Sequence, residues 1–264
     1  ELPIFFIGDT ISKKNGFVES SFKLTPIGEG SYAQVFKYYD DFYDKQFALK
    51  RAKANLNAKE LERFYQEYEV MKSINSPYVL EVYRLDKNKN EYYMELADFS
   101  LYDYILKNNQ KLDFMIRRKL CLQIIRSFEI FDTMEILHRD ISPKNILIKQ
   151  YQEQIVIKIA DFGLVKTIDS QLTSLDTEVR GYFNDISGLS MDGFMNYNKQ
   201  YEYYALTKLV YFVLTGRYKN MSKFDFPKLK EFMEKGLNSN HNLRYKTIGE
   251  LKRAFLDIQD KWKF

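Results

Sequence analysis

The periodicity of the apolar residues changes along this chain, and that change constrains the fold more than any other feature. From Phe22 to Lys50 the residues alternate in the manner of β-strands, with a turn-like DDFYD at 40–44. Two more short strands are predicted, over 80–85 and 91–96. Because these segments follow one another with short connections, they predict a meander of antiparallel strands.

One helix interrupts the predicted strands. Between Asn57 and Ile74 the apolar residues recur at helical spacing, and Asn57 with Glu60 three residues later forms a predicted capping box. Pro77 marks the end of this helix. The helix-spaced apolar residues are Leu61, Phe64, Tyr68, Met71 and Ile74.

Beyond ADFS at 97–100 the apolar spacing is mainly helical, so we expect a boundary between two lobes at Glu95 to Phe99. The predicted organisation is an N-terminal extension over 1–21, a β-rich lobe over 22–95 and a mainly helical lobe over 96–264. This is an α+β fold.

Composition excludes several classes of protein. The chain has 264 residues, of which 45% are hydrophobic and 29% are charged. Its net charge of +4 is spread along the chain and acids interrupt the basic stretches, which argues against binding to nucleic acid. No apolar run is long enough to span a bilayer. One cysteine, Cys121, favours the cytoplasm or another reducing intracellular compartment. The chain opens without Met, so we expect a fragment; its oligomeric state stays open.

A glycine-bearing turn is the first candidate for a binding site. In IGEGSYAQV, Ile27 to Val35, two glycines would let backbone N–H groups approach phosphate oxygens. Ala33 stands where a third glycine is usual, and no helix follows, which argues against a dinucleotide-binding turn. A plain hairpin is the alternative interpretation of this stretch alone.

A lysine on an apolar strand is the second candidate. Lys50 ends FALK and requires an anionic partner, and Glu67 lies on the apolar side of the predicted helix, whereas Glu69 does not. The alternative is a lysine that extends to solvent.

Three side chains in two later stretches offer a base and hard oxygen ligands. HRDISPKNIL carries Asp140 and Asn145 five positions apart, and IADFGLVK carries Asp161. A carboxylate base and oxygen ligands for Mg²⁺ are what metal-assisted phosphoryl transfer needs.

The glycine turn, strand lysine, helix glutamate, H-R-D-x-x-x-x-N and D-F-G occur here in one order, and in this the chain resembles a eukaryotic-type protein kinase catalytic domain. The resemblance runs from about Phe22 to Trp262 and describes a divergent member. It implies a bilobal protein-kinase-like fold, with a small antiparallel β-sheet lobe holding one key helix and a larger, mainly α-helical lobe. It also implies ATP and Mg²⁺ as cofactors and a protein substrate.

The resemblance implies roles for individual residues. Lys50 would hold the α and β phosphates and pair with Glu67. Asp140 would accept the proton of the substrate hydroxyl, and Asn145 and Asp161 would bind Mg²⁺. YYMELADF resembles the hinge, which implies adenine contacts for Met94 and the backbone of Glu95 to Ala97. The nucleotide-binding residues expected from the resemblance are Ile27, Gly28, Gly30, Val35, Ala48, Lys50, Glu67, Met94, Glu95 and Ala97.

The chain departs from the family in the large lobe. The alanine-proline-glutamate motif is missing near Ser190, so Arg244 lacks its usual glutamate partner, and we expect Asp192 to substitute. Glu202 stands where the family has an aspartate that anchors the catalytic loop, at the start of an apolar helix over 202–216.

The catalytic loop departs from the family as well. Ser142 replaces the lysine that contacts the γ-phosphate in most serine/threonine kinases, and Lys144 occupies the position of the arginine used by the tyrosine-specific branch. We expect Lys144 to supply the charge; an exposed Lys144 with weakened catalysis is the alternative. Serine/threonine specificity is favoured, with tyrosine or dual specificity, a binding-only pseudokinase and a small-molecule kinase left open.

Arg139 precedes the catalytic aspartate, and the resemblance implies that this arginine binds the phosphate of a phosphorylated residue in the activation segment. The alternative is that Arg139 braces the loop through Asp176 or Glu178. The candidate acceptors are Thr167, Ser170, Thr173, Ser174 and Thr177, of which the last three are favoured.

Overall fold

The computed structural model describes residues 23–152, 154–165, 183–219, 221 and 227–258, and the backbone of two short strands before them. The chain forms two compact units. The first runs to Ser73 and resumes over Leu80–Leu96, and the second comprises Ile74–Val79 and continues from Ala97.

The segment Ile74–Val79, which the sequence pattern assigned to the first lobe, packs within the second unit. The carbonyl of Tyr78 accepts a hydrogen bond from the Ile159 N–H at 2.7 Å, and Val79 forms a parallel bridge with Ile159. A pairing across 80 residues of sequence leaves no local signal, which is why the pattern did not predict it.

The first unit contains a five-stranded antiparallel sheet in the order β3-β4-β5-β7-β6, and β1 pairs with β2 as a separate two-stranded sheet. In the predicted turn at 40–44, Asp40 Oδ1 accepts the N–H groups of Phe42 and Tyr43 at 3.0 and 3.2 Å, which closes the turn between β4 and β5. The strands are β1 (Ser12–Lys14), β2 (Phe17–Glu19), β3 (Thr25–Glu29), β4 (Ala33–Asp40), β5 (Lys45–Ala52), β6 (Val82–Asp86) and β7 (Glu91–Glu95).

The predicted helix is α1, Ala58–Ser73. Its capping box is confirmed, because Glu60 N–H donates to Asn57 Oδ1 and Asn57 N–H donates to Glu60 Oε2, each at 3.0 Å. The buried face of α1 includes Phe64 and Tyr68, whose rings lie 5.1 and 5.7 Å from the ring of Tyr92 on β7. This packing fixes α1 on one face of the sheet.

The second unit is mainly helical, as expected, with a small antiparallel sheet in the order β10-β9-β8. Its strands are β8 (Phe99–Ser100), β9 (Ile146–Tyr151) and β10 (Gln154–Ile159). Its helices are α2 (Leu101–Asn108), α3 (Phe114–Thr133), α4 (Ile186–Asp192), α5 (Lys199–Thr215), α6 (Pro227–Gly236) and α7 (Ile248–Leu256), and 3₁₀ turns cover Phe194–Asn196 and His241–Leu243.

Helix α5 is the core of the second unit and confirms the prediction of an apolar helix there, since most of its residues are buried. Arg117 of α3 donates to the Val213 carbonyl at 2.8 Å, which ties α3 to α5 inside the core. The helix ends at Gly216, whose left-handed φ of 70° lets its N–H reach the Phe212 carbonyl at 2.7 Å.

Among the helices of the described residues, none is both long enough and apolar enough to cross a membrane. The longest, α3, carries charged side chains such as Arg117 and Arg118. Its Cys121 is a buried free thiol, and burial raises the pKa of that thiol.

Candidate active site

The glycine turn joins β3 to β4 in the first unit. Gly28 lies opposite Val35, and Gly30 N–H donates to the Ala33 carbonyl at 2.8 Å. A Cβ added at Gly28 or Gly30 would meet nothing closer than 3.9 Å, so packing within the described residues does not demand glycine at either position. Ala33, in place of a third glycine, is buried in the sheet.

The register of the sheet brings several predicted nucleotide-binding residues onto one face. Val35 lies opposite Lys50, and Ala48 lies opposite Met94. Residues directly opposite each other in antiparallel strands share a face, so these four side chains line the side of the sheet that carries α1. Ile27 lies at a register shift in β3 and is exposed.

One backbone group of the predicted hinge, which includes Glu95 and Ala97, is bonded within the sheet. The Glu95 N–H donates to the Glu81 carbonyl at 2.8 Å, so that N–H is not a donor for a ligand. Glu95 belongs to the first unit and Ala97 to the second.

Lys50 and Glu67 form an ion pair inside the first unit. Lys50 Nζ lies 2.7 Å from both carboxylate oxygens of Glu67, and the two side chains are 16% and 5% exposed. Nζ also lies 5.9 Å from the centre of the Tyr92 ring. Lys50 therefore does not extend to solvent, and Glu67 is buried with a cation beside it, as a buried carboxylate requires.

In the second unit, one asparagine organises the predicted catalytic loop. Asn145 Nδ2 donates to the backbone carbonyl and to Oδ2 of Asp140, both at 2.9 Å. The Asn145 N–H donates to the carbonyl and to Oγ of Ser142 at 3.1 and 3.3 Å. These bonds close the loop on itself and orient the Asp140 carboxylate.

The same asparagine is connected to the predicted metal loop. The Asn145 carbonyl accepts the Ala160 N–H at 2.9 Å, and Asp161 follows in a left-handed conformation with φ of 62° and an exposed side chain. Phe162 is buried, with its ring 5.6 Å from Phe131 and 4.9 Å from His138. Asn145 and Asp161 thus come together through the backbone bond at Ala160.

The described residues contain no group of three His, Cys, Asp or Glu side chains that could hold a metal ion. Asn145 and Asp161 supply one amide and one carboxylate. Mg²⁺ commonly takes only one or two protein ligands and completes its shell with water and phosphate oxygens, so this pair is a sufficient protein contribution.

Glu202 on α5 holds the backbone ahead of Asp140. Its carboxylate accepts the N–H of His138, the N–H of Arg139 at 3.2 Å, and the Tyr197 hydroxyl at 2.7 Å. Burial raises the pKa of the Glu202 carboxyl, although these three donors act in the opposite direction. The sequence suggested Glu202 as the anchor, but it gave no signal for Tyr197, which lies between the 3₁₀ turn at 194–196 and α5.

Arg139 is buried and has a left-handed backbone with φ of 68°, a conformation that costs about 1–3 kcal/mol for a residue other than glycine. Its Nη2 donates to the Phe194 carbonyl at 2.7 Å, and its guanidinium lies 4.1 Å from the Phe194 ring. Arg139 therefore braces the loop against the 3₁₀ turn. All the predicted phosphate acceptors and both predicted acidic substitutes, which fall within 167–178, lie outside the described residues.

The partner of Arg244 is Asp185, and the expectation of Asp192 was wrong. Arg244 Nη2 donates to Asp185 Oδ2, while Asp192 Oδ2 accepts the Tyr201 hydroxyl at 2.5 Å. Asp185 caps α4, with Oδ1 accepting the Gly188 N–H at 3.0 Å, and this cap presents the other oxygen to Arg244. Burial acts to raise the pKa of Asp185, but the bonds from Gly188 and Arg244 hold it below its ordinary value.

Lys144 is exposed, and its Nζ lies 5.7 Å from the centre of the Tyr102 ring on α2. The Tyr102 N–H donates to the Pro143 carbonyl at 2.9 Å, which fixes the ring beside the loop. Lys144 therefore stands on the same loop as Asp140, over an aromatic face.

The sequence is similar to known protein kinases. The protein kinase domain model matches residues 22–219. Serine/threonine-protein kinase RAD53 of Saccharomyces cerevisiae is 27% identical over 220 residues, 78% of this chain and 27% of the relative. Carbon catabolite-derepressing protein kinase of Candida glabrata is 33% identical over 142 residues, 52% of this chain and 22% of the relative.

A third relative, calcium-dependent protein kinase 3 of Plasmodium yoelii yoelii, is 28% identical over 176 residues, 65% of this chain and 30% of the relative. The chain spans less than a third of the length of these curated relatives. The family match covers most of the chain and confirms the resemblance that the motifs indicated. The chain belongs to the protein kinase domain family.

Proposed function

We propose that this chain transfers the γ-phosphate of ATP, with Mg²⁺, to hydroxyl groups of a protein substrate, with serine and threonine preferred. The observation that carries this proposal is the position of Asn145. Its side-chain amide holds the Asp140 carboxylate, and its backbone carbonyl holds the peptide that leads into Asp161. Hydrogen bonds thereby connect the residues that we propose as the base and as the metal ligands.

The donor atoms near Asn145 suit Mg²⁺. Because Nδ2 is committed to Asp140, the amide oxygen Oδ1 is the atom that Asn145 would offer to a cation. Asp161 is exposed and would add a carboxylate oxygen. When bound, Mg²⁺ neutralises phosphate charge and thereby favours transfer.

Lys50 is the residue that would bind the α and β phosphates. Both carboxylate oxygens of Glu67 accept from Nζ, so the cation is fixed in position before any ligand binds. Val35, Ala48 and Met94, on the same face of the sheet, would contact the adenine and ribose. The glycines of the turn, which packing does not require, would let the backbone approach the phosphates.

Asp140 would orient the substrate hydroxyl and accept its proton as the oxygen attacks the γ-phosphate. The Asn145 amide fixes which way the carboxylate points, and Glu202 holds the two preceding peptide groups. Lys144, four residues on and exposed, would neutralise charge on the transferred phosphate in place of the lysine that most serine/threonine kinases have where this chain has Ser142. The name of one relative, serine/threonine-protein kinase RAD53, supports the preference for serine and threonine.

The test uses ATP labelled on the γ-phosphate, with casein as a general acceptor protein, in the presence of Mg²⁺ or of EDTA. We expect Mg²⁺-dependent label in casein, recovered as phosphoserine and phosphothreonine. Label found only on tyrosine would overturn the specificity. ATP consumed without protein label would indicate a small-molecule kinase, and no consumption under any condition would indicate a pseudokinase.

A further inference from the structure

We propose that Asn184 is a positioning residue for the phosphotransfer reaction: its side-chain amide holds the carbonyl of Arg139 and so sets the orientation of the adjacent Asp140. Asn184 Nδ2 donates to the Arg139 carbonyl at 3.1 Å, and Asn184 is buried. This role rests on the proposed function and adds a residue that the kinase motifs do not include.

The peptide groups on both sides of Arg139 are held by side chains from distant parts of the sequence. Glu202 accepts the Arg139 N–H at 3.2 Å, and Asn184 donates to the Arg139 carbonyl. The Arg139 side chain is held as well, by the Phe194 carbonyl at 2.7 Å. With φ of 68°, Arg139 is in a conformation that a residue other than glycine keeps only where its surroundings enforce it.

The Asn184 bond acts on the peptide that joins Arg139 to Asp140. Asn145 is bonded to both the carbonyl and the carboxylate of Asp140. Rotation of the peptide would displace these bonds and move the Asp140 carboxylate away from Asn145. Glu202 controls the peptides before Arg139, so it cannot substitute for Asn184 at this position. The amide of Asn184 is therefore a separate constraint on the base.

Asn184 is itself held by its neighbour in sequence. Asp185 caps α4 through the Gly188 N–H and pairs with the buried guanidinium of Arg244. The dipeptide Asn184–Asp185 thus connects two buried groups, the catalytic-loop carbonyl on one side and Arg244 on the other.

The chemistry at position 184 requires a hydrogen-bond donor. An alanine would leave the Arg139 carbonyl without this partner. An aspartate of the same shape would, when ionised, place a carboxylate against a carbonyl, and both groups are acceptors. When protonated, that aspartate could donate its O–H to the carbonyl, so the defect of Asn184→Asp should lessen as the pH falls.

The experiment measures kcat, the Michaelis constant for ATP and the melting temperature for the wild type, Asn184→Ala and Asn184→Asp, at pH 6 and pH 8. Asn108→Ala is the matched control, because Asn108 Nδ2 also donates to a carbonyl, that of Tyr104 at 2.9 Å, but at the last residue of α2. All assays are run well below the melting temperature of each variant.

We expect both Asn184 variants to lose about 10- to 100-fold in kcat with little change in the Michaelis constant for ATP, the loss that follows from a small displacement of a catalytic group. The Asn184→Asp defect should be smaller at pH 6 than at pH 8, the Asn184→Ala defect should be the same at both, and Asn108→Ala should match the wild type.

Two results would overturn the role of Asn184. If the variants melt at a lower temperature but keep the wild-type kcat, Asn184 serves stability alone. If the wild type itself transfers no phosphate, the proposed function fails and this role fails with it, and the wild-type arm identifies that case. If Asn184→Ala does not fold, the isosteric Asn184→Asp and its pH dependence decide the question.

Discussion

The ion pair between Asp185 and Arg244 allows a sharp test of how the second unit is held together. Arg244 is 1% exposed and also donates Nε to the Asn238 carbonyl at 2.7 Å. Asp185→Asn keeps the shape of the side chain and can keep the cap on α4, because an amide oxygen can still accept the Gly188 N–H. The substitution therefore removes the charge that faces Arg244 and His241, whose Nε2 lies 3.4 Å from Asp185 Oδ2.

The expected loss follows from burial. Removing one partner of a buried pair costs about 3–5 kcal/mol, and the retained cap places Asp185→Asn near about 3 kcal/mol. A change of that size lowers the melting temperature by about 6–12 °C in a chain of this length. The control is Asp192→Asn: the Asp192 side chain is 45% exposed, so its bonds to Tyr201 and His241 should contribute less than about 1 kcal/mol.

The pH dependence of the difference between Asp185→Asn and the wild type provides a second check. The pKa of Asp185 is held below its ordinary value of 3.8, so the stability from its ionised form is present above that pH and is lost as the pH falls through the lowered pKa. The gap in melting temperature should narrow as the pH falls below about pH 4. The reasoning is refuted if Asp192→Asn costs as much as Asp185→Asn, or if the gap closes on raising the pH.

Three further predictions concern the reaction. Lys50→Ala should raise the Michaelis constant for ATP by about 10- to 100-fold in steady-state assays, since each bond from a charged group contributes about 1.5–3 kcal/mol. An unchanged constant would show that Lys50 does not bind the phosphates. Lys144→Ala should lower kcat by about 100-fold at an unchanged Michaelis constant, and adding Ser142→Lys should restore part of it, whereas an unaltered kcat would leave Lys144 a surface residue. Because Arg139 is already braced within its own unit, protein with no phosphate on 170–177 by intact mass should be fully active; a several-fold activation that accompanies phosphate there would contradict this.

Features that depend on neighbours in sequence could be predicted. Helix α1 and its capping box follow from apolar spacing and from Asn57 and Glu60, which are three residues apart. The same periodicity selected Glu67 over Glu69 as the buried partner of Lys50, and the structure pairs Lys50 with Glu67. Local rules were sufficient because one face of the helix has to be buried.

Features that depend on distant contacts could not be predicted. Asp185 and Asp192 are acids at opposite ends of α4, and sequence spacing cannot tell which one meets Arg244, 59 residues away from Asp185. Asp185 pairs with Arg244 because its cap on α4 orients the other carboxylate oxygen towards Arg244. The bond from Asn184 to the Arg139 carbonyl spans 45 residues. Asparagine is usually exposed, so no pattern in the sequence marks this buried one.

The most direct test of the account compares the wild type with Asp140→Asn for two properties of the same protein preparations: binding of ATP in the presence of Mg²⁺, by calorimetry, and the rate of phosphate transfer to casein. If Asp140 is the base, the variant should bind MgATP as the wild type does, because Asp140 is not assigned to the nucleotide, and should transfer phosphate about 100- to 10,000-fold more slowly. An Asp140→Asn protein that transfers phosphate at the wild-type rate would contradict the assignment of this loop as the catalytic centre.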